Sequence, residues 1–450
     1  MMTEVPGSGD AASGAPTDSL SAALAALWRI PHPGPDNLFA TRDFKAVAAA
    51  CGRTSTTIGF SSALHNILRS VGAPFALPPD HAHLVGTTEQ AATAITHAFK
   101  QTSTLRRHLC PLDLADSLPP LRFGPGRVVD LTAEELGALL DAPRLARFYP
   151  GHALDLRRLA QFTWLVVEET VPVDPRPEAR ALPFMFENWN RDFGAIDPHQ
   201  GHFARPVADA LFFLLTGAWE DWADHAEINW RGFQVPWVYT FDDDLSVRPQ
   251  APPDPDSLSW EPWIIDDEFE GQIELERPSI LSLHEVAAEE LSRLDASRWQ
   301  SVLKARRMPL FSTPVAHFLV QAFHVDGIDE LLAHISTIEA ALGLQADFMV
   351  RKTDPFPTVR GTKRVERRLT ALLDDTQAAG QFNVLFDLRS KFVHGRAGLG
   401  LITSQQRIMA RKLARRTSAA LVERALQDQR PREQILADLL ADGMAMQATS

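Results

Sequence analysis

An arginine and a histidine five positions apart, Arg389 and His394 in "FDLRSKFVHG" (386–395), are the residues of this 450-residue chain whose types and spacing best suit catalysis. An imidazole titrates near neutrality and serves as general base or acid. A guanidinium grips two phosphate oxygens at once and offsets charge that develops on them. Spacing alone proves nothing. With 37 Arg and 15 His in the chain, about four Arg–His pairs separated by four to six intervening residues are expected by chance. Three occur: Arg147–His152, Arg277–His284 and Arg389–His394. The first spans "RFYPGH", a loop signal, and the second a proline-started approach to a helix. Only the third closes a helical pattern with apolar residues on both sides.

Positions five apart on an ideal helix point about 140° from each other, so one continuous helix would not aim both side chains at one phosphate. Gly395 is expected to stop the helix and let His394 turn away from its axis. A two-fold partner would bring a second Arg–His pair alongside, and Lys391 and Arg396 flank the motif as phosphate contacts. The competing reading is a polar network at a helix end that joins Arg389 and His394 to Asp387 or Glu339.

The elements that must hold these residues are helical. "TPVAHFLVQAFH" (313–324), "IDELLAHISTIEAALGL" (328–344), "KRVERRLTALLDD" (363–375), "QFNVLFDLRSKF" (381–392) and "SQQRIMARKLARRTSAALVERALQ" (404–427) carry apolar residues on a three-to-four spacing, which predicts an all-α bundle. A helix ending in "LFDLRSKFVHG", preceded by "LLAHISTIEAALG" and the basic "KRVERRL", resembles the Apea-like branch of the HEPN (higher eukaryotes and prokaryotes nucleotide-binding) superfamily over residues 305–430. Arg389, Ser390, His394, Gly395 and, in the earlier helix, Glu339 carry the likeness.

The resemblance implies a homodimer that brings two Arg-x4-6-His motifs into one cleft. It further implies a metal-independent endoribonuclease without cofactor, in a bacterial defence or toxin setting. The alternative is a non-catalytic module that binds RNA or a protein. In the superfamily the residue after the arginine is often Asn, Asp or His; here it is Ser390. Glu339 would orient Arg389 or His394, or face solvent.

The rest of the chain offers no comparable match. Residues 1–17 are expected to be a disordered tail leading into a helix, with no basic segment of a signal peptide. Residues 18–300 form an N-terminal region of mixed, mostly helical character with a few strands, split near 115. Residues 431–450 are expected to be a tail. The fold class is therefore mainly α, with a C-terminal HEPN-like bundle. Up to 115 the patterns, "EQAATAITHAFKQTSTLRRHL" included, are read as helices. "LRFGPGRVVD" is read as strand, followed by a helix capped by Thr132 and Glu135. "FTWLVVEETVPV" (162–173) fits strand or helix, "ARPVADALFFLLTGAWEDWADHA" a buried helix, and "FQVPWVYTFDD" a strand.

The net charge of −13 hides an asymmetry. Residues 351–432 hold 18 Lys/Arg and 7 Asp/Glu, a balance of +11, while residues 1–350 hold 26 and 47, a balance of −21. A basic module on an acidic chain fits a polyanion such as RNA, or docking of the basic face onto the chain's own acidic part. Two cysteines exclude a disulfide framework and, with no long apolar run, suggest a cytoplasmic protein without a membrane partner. Asp197, His199 and His202, and Asp80, His81 and His83, lack the spacing of a strong metal site, so no metal is expected. The tryptophans at 219, 222, 230, 237, 260 and 263 lie in acidic sequence and are read as packing or a protein contact.

Overall fold

The computed structural model describes residues 15–53, 57–182, 192, 194–195, 201–225, 231–267, 271–349, 354–395 and 400–448. The chain opens with α1 (Ala15–Leu27), α2 (Arg42–Ala50), α3 (Ile58–Val71) and α4 (Thr88–Lys100). Thr41, Thr57 and Thr87 each accept a backbone N–H as the N-cap of α2, α3 and α4, satisfying donors that the first turn leaves free. Leu24, Phe44, Phe60, Ile67 and Ile95 form a core among these helices. Helix α1 starts three residues inside the expected tail, because "SLSAALAAL" offers Leu20, Leu24 and Leu27 to that core.

A sheet follows, built from β1 (Ser103–Leu112), β3 (Leu121–Phe123), β4 (Gly126–Asp130), β5 (Thr163–Pro172) and β6 (Tyr239–Asp242) in the order β3-β4-β5-β1-β6, each neighbouring pair antiparallel. The short β2 (Leu114–Ala115) pairs with β9 (Ile280–Leu281). Strand β1 corrects the helical reading of "STLRRHL". Leu105, Leu109 and Leu112 recur at helical spacing, yet pairing with β5 and β6 makes the segment a strand. His108 is buried and bonded across the sheet, its Nδ1 2.9 Å from Thr240 Oγ1 and its Nε2 3.2 Å from Glu169 Oε1. The 162–173 segment is strand β5. The 121–130 segment is a β3–β4 hairpin leading to α5 (Ala133–Leu139), where Thr132 and Glu135 make the expected capping box.

One sheet face, with Leu109, Trp164, Val166 and Phe241, is covered by α5, α6 (Ala142–Phe148) and α7 (Leu156–Leu159). The other, with Cys110, Leu112, Leu165 and Val167, packs toward α9 (Arg205–Leu214), which lies beyond α8 (Pro177–Ala181). The long buried helix read from 204 to 226 is α9 followed by a separate turn, α10 (Trp219–Trp222), and the strand read in "FQVPWVYTFDD" narrows to β6. Beyond β7 (Trp260–Asp267) and β8 (Gly271–Pro278), α11 (Val286–Ser292) and α12 (Ala296–Ala305) lead into the C-terminal helices.

These are α13 (Val315–His324), α14 (Gly327–Leu342), α15 (Thr362–Leu373), α16 (Thr376–Val393), α17 (Ser404–Gln427) and α18 (Arg432–Ala448). Helix α14 packs on α13 and α17, and α15 on α16 and α18. The expected C-terminal tail is α18. Its Ile435, Leu436, Leu439 and Leu440 bury against the bundle, and at Gly443 a side chain would collide with the carbonyl oxygen of Arg367. One hydrophobic cluster runs from Leu112 and Leu165 of the sheet through Phe212 and Trp299 to Leu439, without a break at residue 305. The chain is mainly α with a small antiparallel sheet, and among the described residues no helix is long and apolar enough to cross a membrane.

Candidate active site

Helix α16 is capped by Asp375, whose carboxylate accepts the Gln377 N–H. It buries Ala378, Ala379, Phe382 and Leu385 and leaves Val384, Phe392 and Val393 exposed. Its last turn carries the motif. The His394 N–H donates to the Ser390 carbonyl at 3.1 Å and the Gly395 N–H to that of Phe392, after which Gly395 turns left-handed at φ +59°. That conformation favours glycine and ends the helix. The stop falls one residue later than the expectation needs. His394, at φ −95° and ψ 8°, is still on the final turn, so its Cβ points away from that of Arg389 much as on an ideal helix.

Arg389 is half-buried, over the Phe386 ring at 5.4 Å and 3.6 Å from the Glu339 carboxylate of α14. Burial pushes the Glu339 carboxyl up, and the Arg389 charge opposes it. Glu339 therefore touches the arginine. His394 is exposed, and its ring has no hydrogen-bond or ion-pair partner among the described residues. Lys391 pairs with Asp387 on its own helix at 2.7 Å. Ser390 contributes its carbonyl to the helix end. Arg396, and also Asp197, His199 and Trp230, lie outside the described residues.

The basic excess of the bundle is largely occupied. Arg415 meets Glu220 and Asp221 of α10, Lys412 meets Asp221, and Arg298 of α12 meets Glu423 of α17. Arg416 pairs with Asp375, Arg368 with Asp347, and Arg364 with Asp354 and Asp347. Arg432 donates to the carbonyls of Ala340, Ala341 and Gly343. Of the two explanations of the charge asymmetry, internal docking accounts for the face of α17 that meets α10.

The sequence reading missed a buried cluster at that joint. Glu330 of α14, enclosed, takes Arg407 at 2.5 Å, Arg231 at 3.1 Å and Arg411 at 3.5 Å. His334, one turn on, lies 3.7 Å from it. The signal was present: Glu330 and His334 sit four apart on the stripe of Leu331, Ile335 and Ile338, the face that must be buried. Burial lowers His334 to about 4, opposed by Glu330 and aided by Arg411. A folded-state value below the unfolded one means that acid favours unfolding. This one group should remove on the order of 2 kcal/mol of stability between pH 7 and pH 5. Urea midpoints at the two pH values should therefore lie closer together in His334→Leu than in wild type.

Among the described residues no three His, Cys, Asp or Glu side chains gather as metal ligands. His81 stacks on His83 at 6.1 Å, and His202 packs on Phe203 and His324. Trp219 and Trp222 pack edge to face in the core, as the packing reading expects. Set against protein-family models, curated proteins and solved structures, the chain matches none.

Proposed function

We propose that the chain is a metal-independent endoribonuclease of the HEPN type, acting as a homodimer in which Arg389 and His394 of two copies share one cleft. The observation that carries this reading is the last turn of α16. There Glu339 fixes Arg389 at the helix side, while His394 stands exposed beside exposed Phe392 and Val393. Because the two side chains of one copy diverge, a phosphate held by Arg389 of one copy meets His394 of the other. The imidazole takes the proton of the RNA 2′-hydroxyl as it attacks the adjacent phosphorus, or gives one to the departing 5′-oxygen. The guanidinium holds the non-bridging oxygens as the charge on them grows. The products are a 2′,3′-cyclic phosphate and a 5′-hydroxyl.

The second reading is a HEPN module that binds RNA or a protein without cleaving. The engagement of Lys391 by Asp387, which occupies a cation expected at the phosphates, favours it. Single-stranded RNA incubated with the full chain in EDTA separates the readings. Cyclic-phosphate ends support cleavage, salt-dependent binding without product supports the module, and no affinity at low salt removes RNA from the account.

A further inference from the structure

Among the described residues, strands β7 and β8 pair only with each other, from Trp260 opposite Pro278 to Asp267 opposite Gly271. A lone two-stranded ribbon is marginal in water, and this one is fastened at its root. Trp260 packs edge-on to Phe162 at 5.1 Å and its indole N–H donates to Pro255. Arg158 lies 4.3 Å over the same ring and bridges Asp256 and Glu276. Beyond the root the ribbon stands in solvent. Trp263 and Leu275, directly opposed, are 45% and 41% exposed, and the next pair on that face is Ile265 and Ile273. Ile264 on the other face is 61% exposed.

Free strand edges bearing apolar side chains invite pairing with another chain. Charge selects which chain. Residues 260–278 hold seven Asp/Glu and one Arg, so nucleic acid is repelled and a cationic segment attracted. Proline tolerates only an outward-facing position in a ladder. Pro262 therefore interrupts the outer edge of β7, while β8 has no proline from Gly271 to Arg277. We propose that β8 is a docking edge for a partner protein that adds an extended, cationic strand with alternate apolar side chains, seated against Trp263 and Leu275.

The inference does not depend on RNA cleavage. A synthetic peptide of alternating Lys and Val, and its counterpart with Glu for Lys, serve as probes with the full chain. Hydrogen exchange should show the lysine peptide protecting amides of 271–277 and the glutamate peptide protecting none. Affinity should fall at least tenfold in Trp263→Ser/Leu275→Ser and in Asp266→Lys/Glu274→Lys, since these side chains are exposed and their loss leaves the fold intact. Equal binding of both peptides, or unchanged affinity in the variants, overturns the proposal. So does a dimer that becomes monomeric in Trp263→Ser/Leu275→Ser without peptide protection, which would make a second copy the occupant.

Discussion

If the proposed function holds, His394→Ala should slow RNA cleavage in EDTA by about a hundred- to ten-thousand-fold, the range expected for loss of a general acid or base, and should leave the melting temperature unchanged. The second half of that expectation comes from the site. The His394 ring is exposed and without a partner among the described residues, so its removal vacates no contact inside the fold. Arg389→Ala behaves differently. It leaves Glu339 beside an empty position, and burial, which already raises that carboxyl, then acts without the opposing arginine. Cleavage rates and thermal melts of both variants, measured on the same preparations, check the contrast. Equal cleavage by His394→Ala and wild type would remove the histidine from the chemistry.

Glu330→Ala should cost about 3–5 kcal/mol of stability, because breaking a buried pair strands the charges that remain. Arg231, Arg407 and Arg411 converge on this carboxylate. Arg231 also donates to the carbonyls of Phe323 and Val325 at the end of α13, so the cluster ties the segment after α10 to three helices of the bundle. Burial opposes ionisation of Glu330, but the His334 contact and the Arg411 and Arg231 charges outweigh it and hold the carboxyl below its usual range. A depressed carboxylate stabilises the fold above its unfolded-state value and loses that contribution as acid protonates it. Glu330→Gln, which keeps the shape, should fall between alanine and wild type in urea unfolding at pH 7. A wild-type midpoint for the alanine variant would mean that the cluster contributes no net stability.

The C-terminal helices were readable because each has to bury one stripe, and a stripe is a local pattern. Ile335, Ile338 and Leu342 announce α14 without reference to anything else in the chain. Helix α18 carries the same signal in Ile435, Leu436, Leu439 and Leu440, a stripe that the expectation of a tail overlooks. Strand β1 is a different case. Its leucines mimic helical spacing, and what makes it a strand lies in β5 and β6, where Glu169 and Thr240 receive His108.

The candidate site divides the same way. Arg389 and His394 were recognisable from residue type and from the glycine that ends their helix. Their divergence on that helix needed the backbone angles of His394 itself. Charge alone left the purpose of the basic excess open between a polyanion and the chain's own acidic part, since the carboxylate that takes Lys412 lies 191 positions upstream.

In the proposed dimer two copies of the motif, neither sufficient alone, form one cleaving site. Co-expression of Arg389→Ala and His394→Ala chains tests it most directly, with separate tags isolating the mixed dimer. That dimer holds one intact arginine and one intact histidine, on different copies. It should cleave RNA in EDTA well above either single-variant homodimer and leave 2′,3′-cyclic phosphate ends. A mixed dimer no more active than its parents, beside an active wild type, would contradict the shared site.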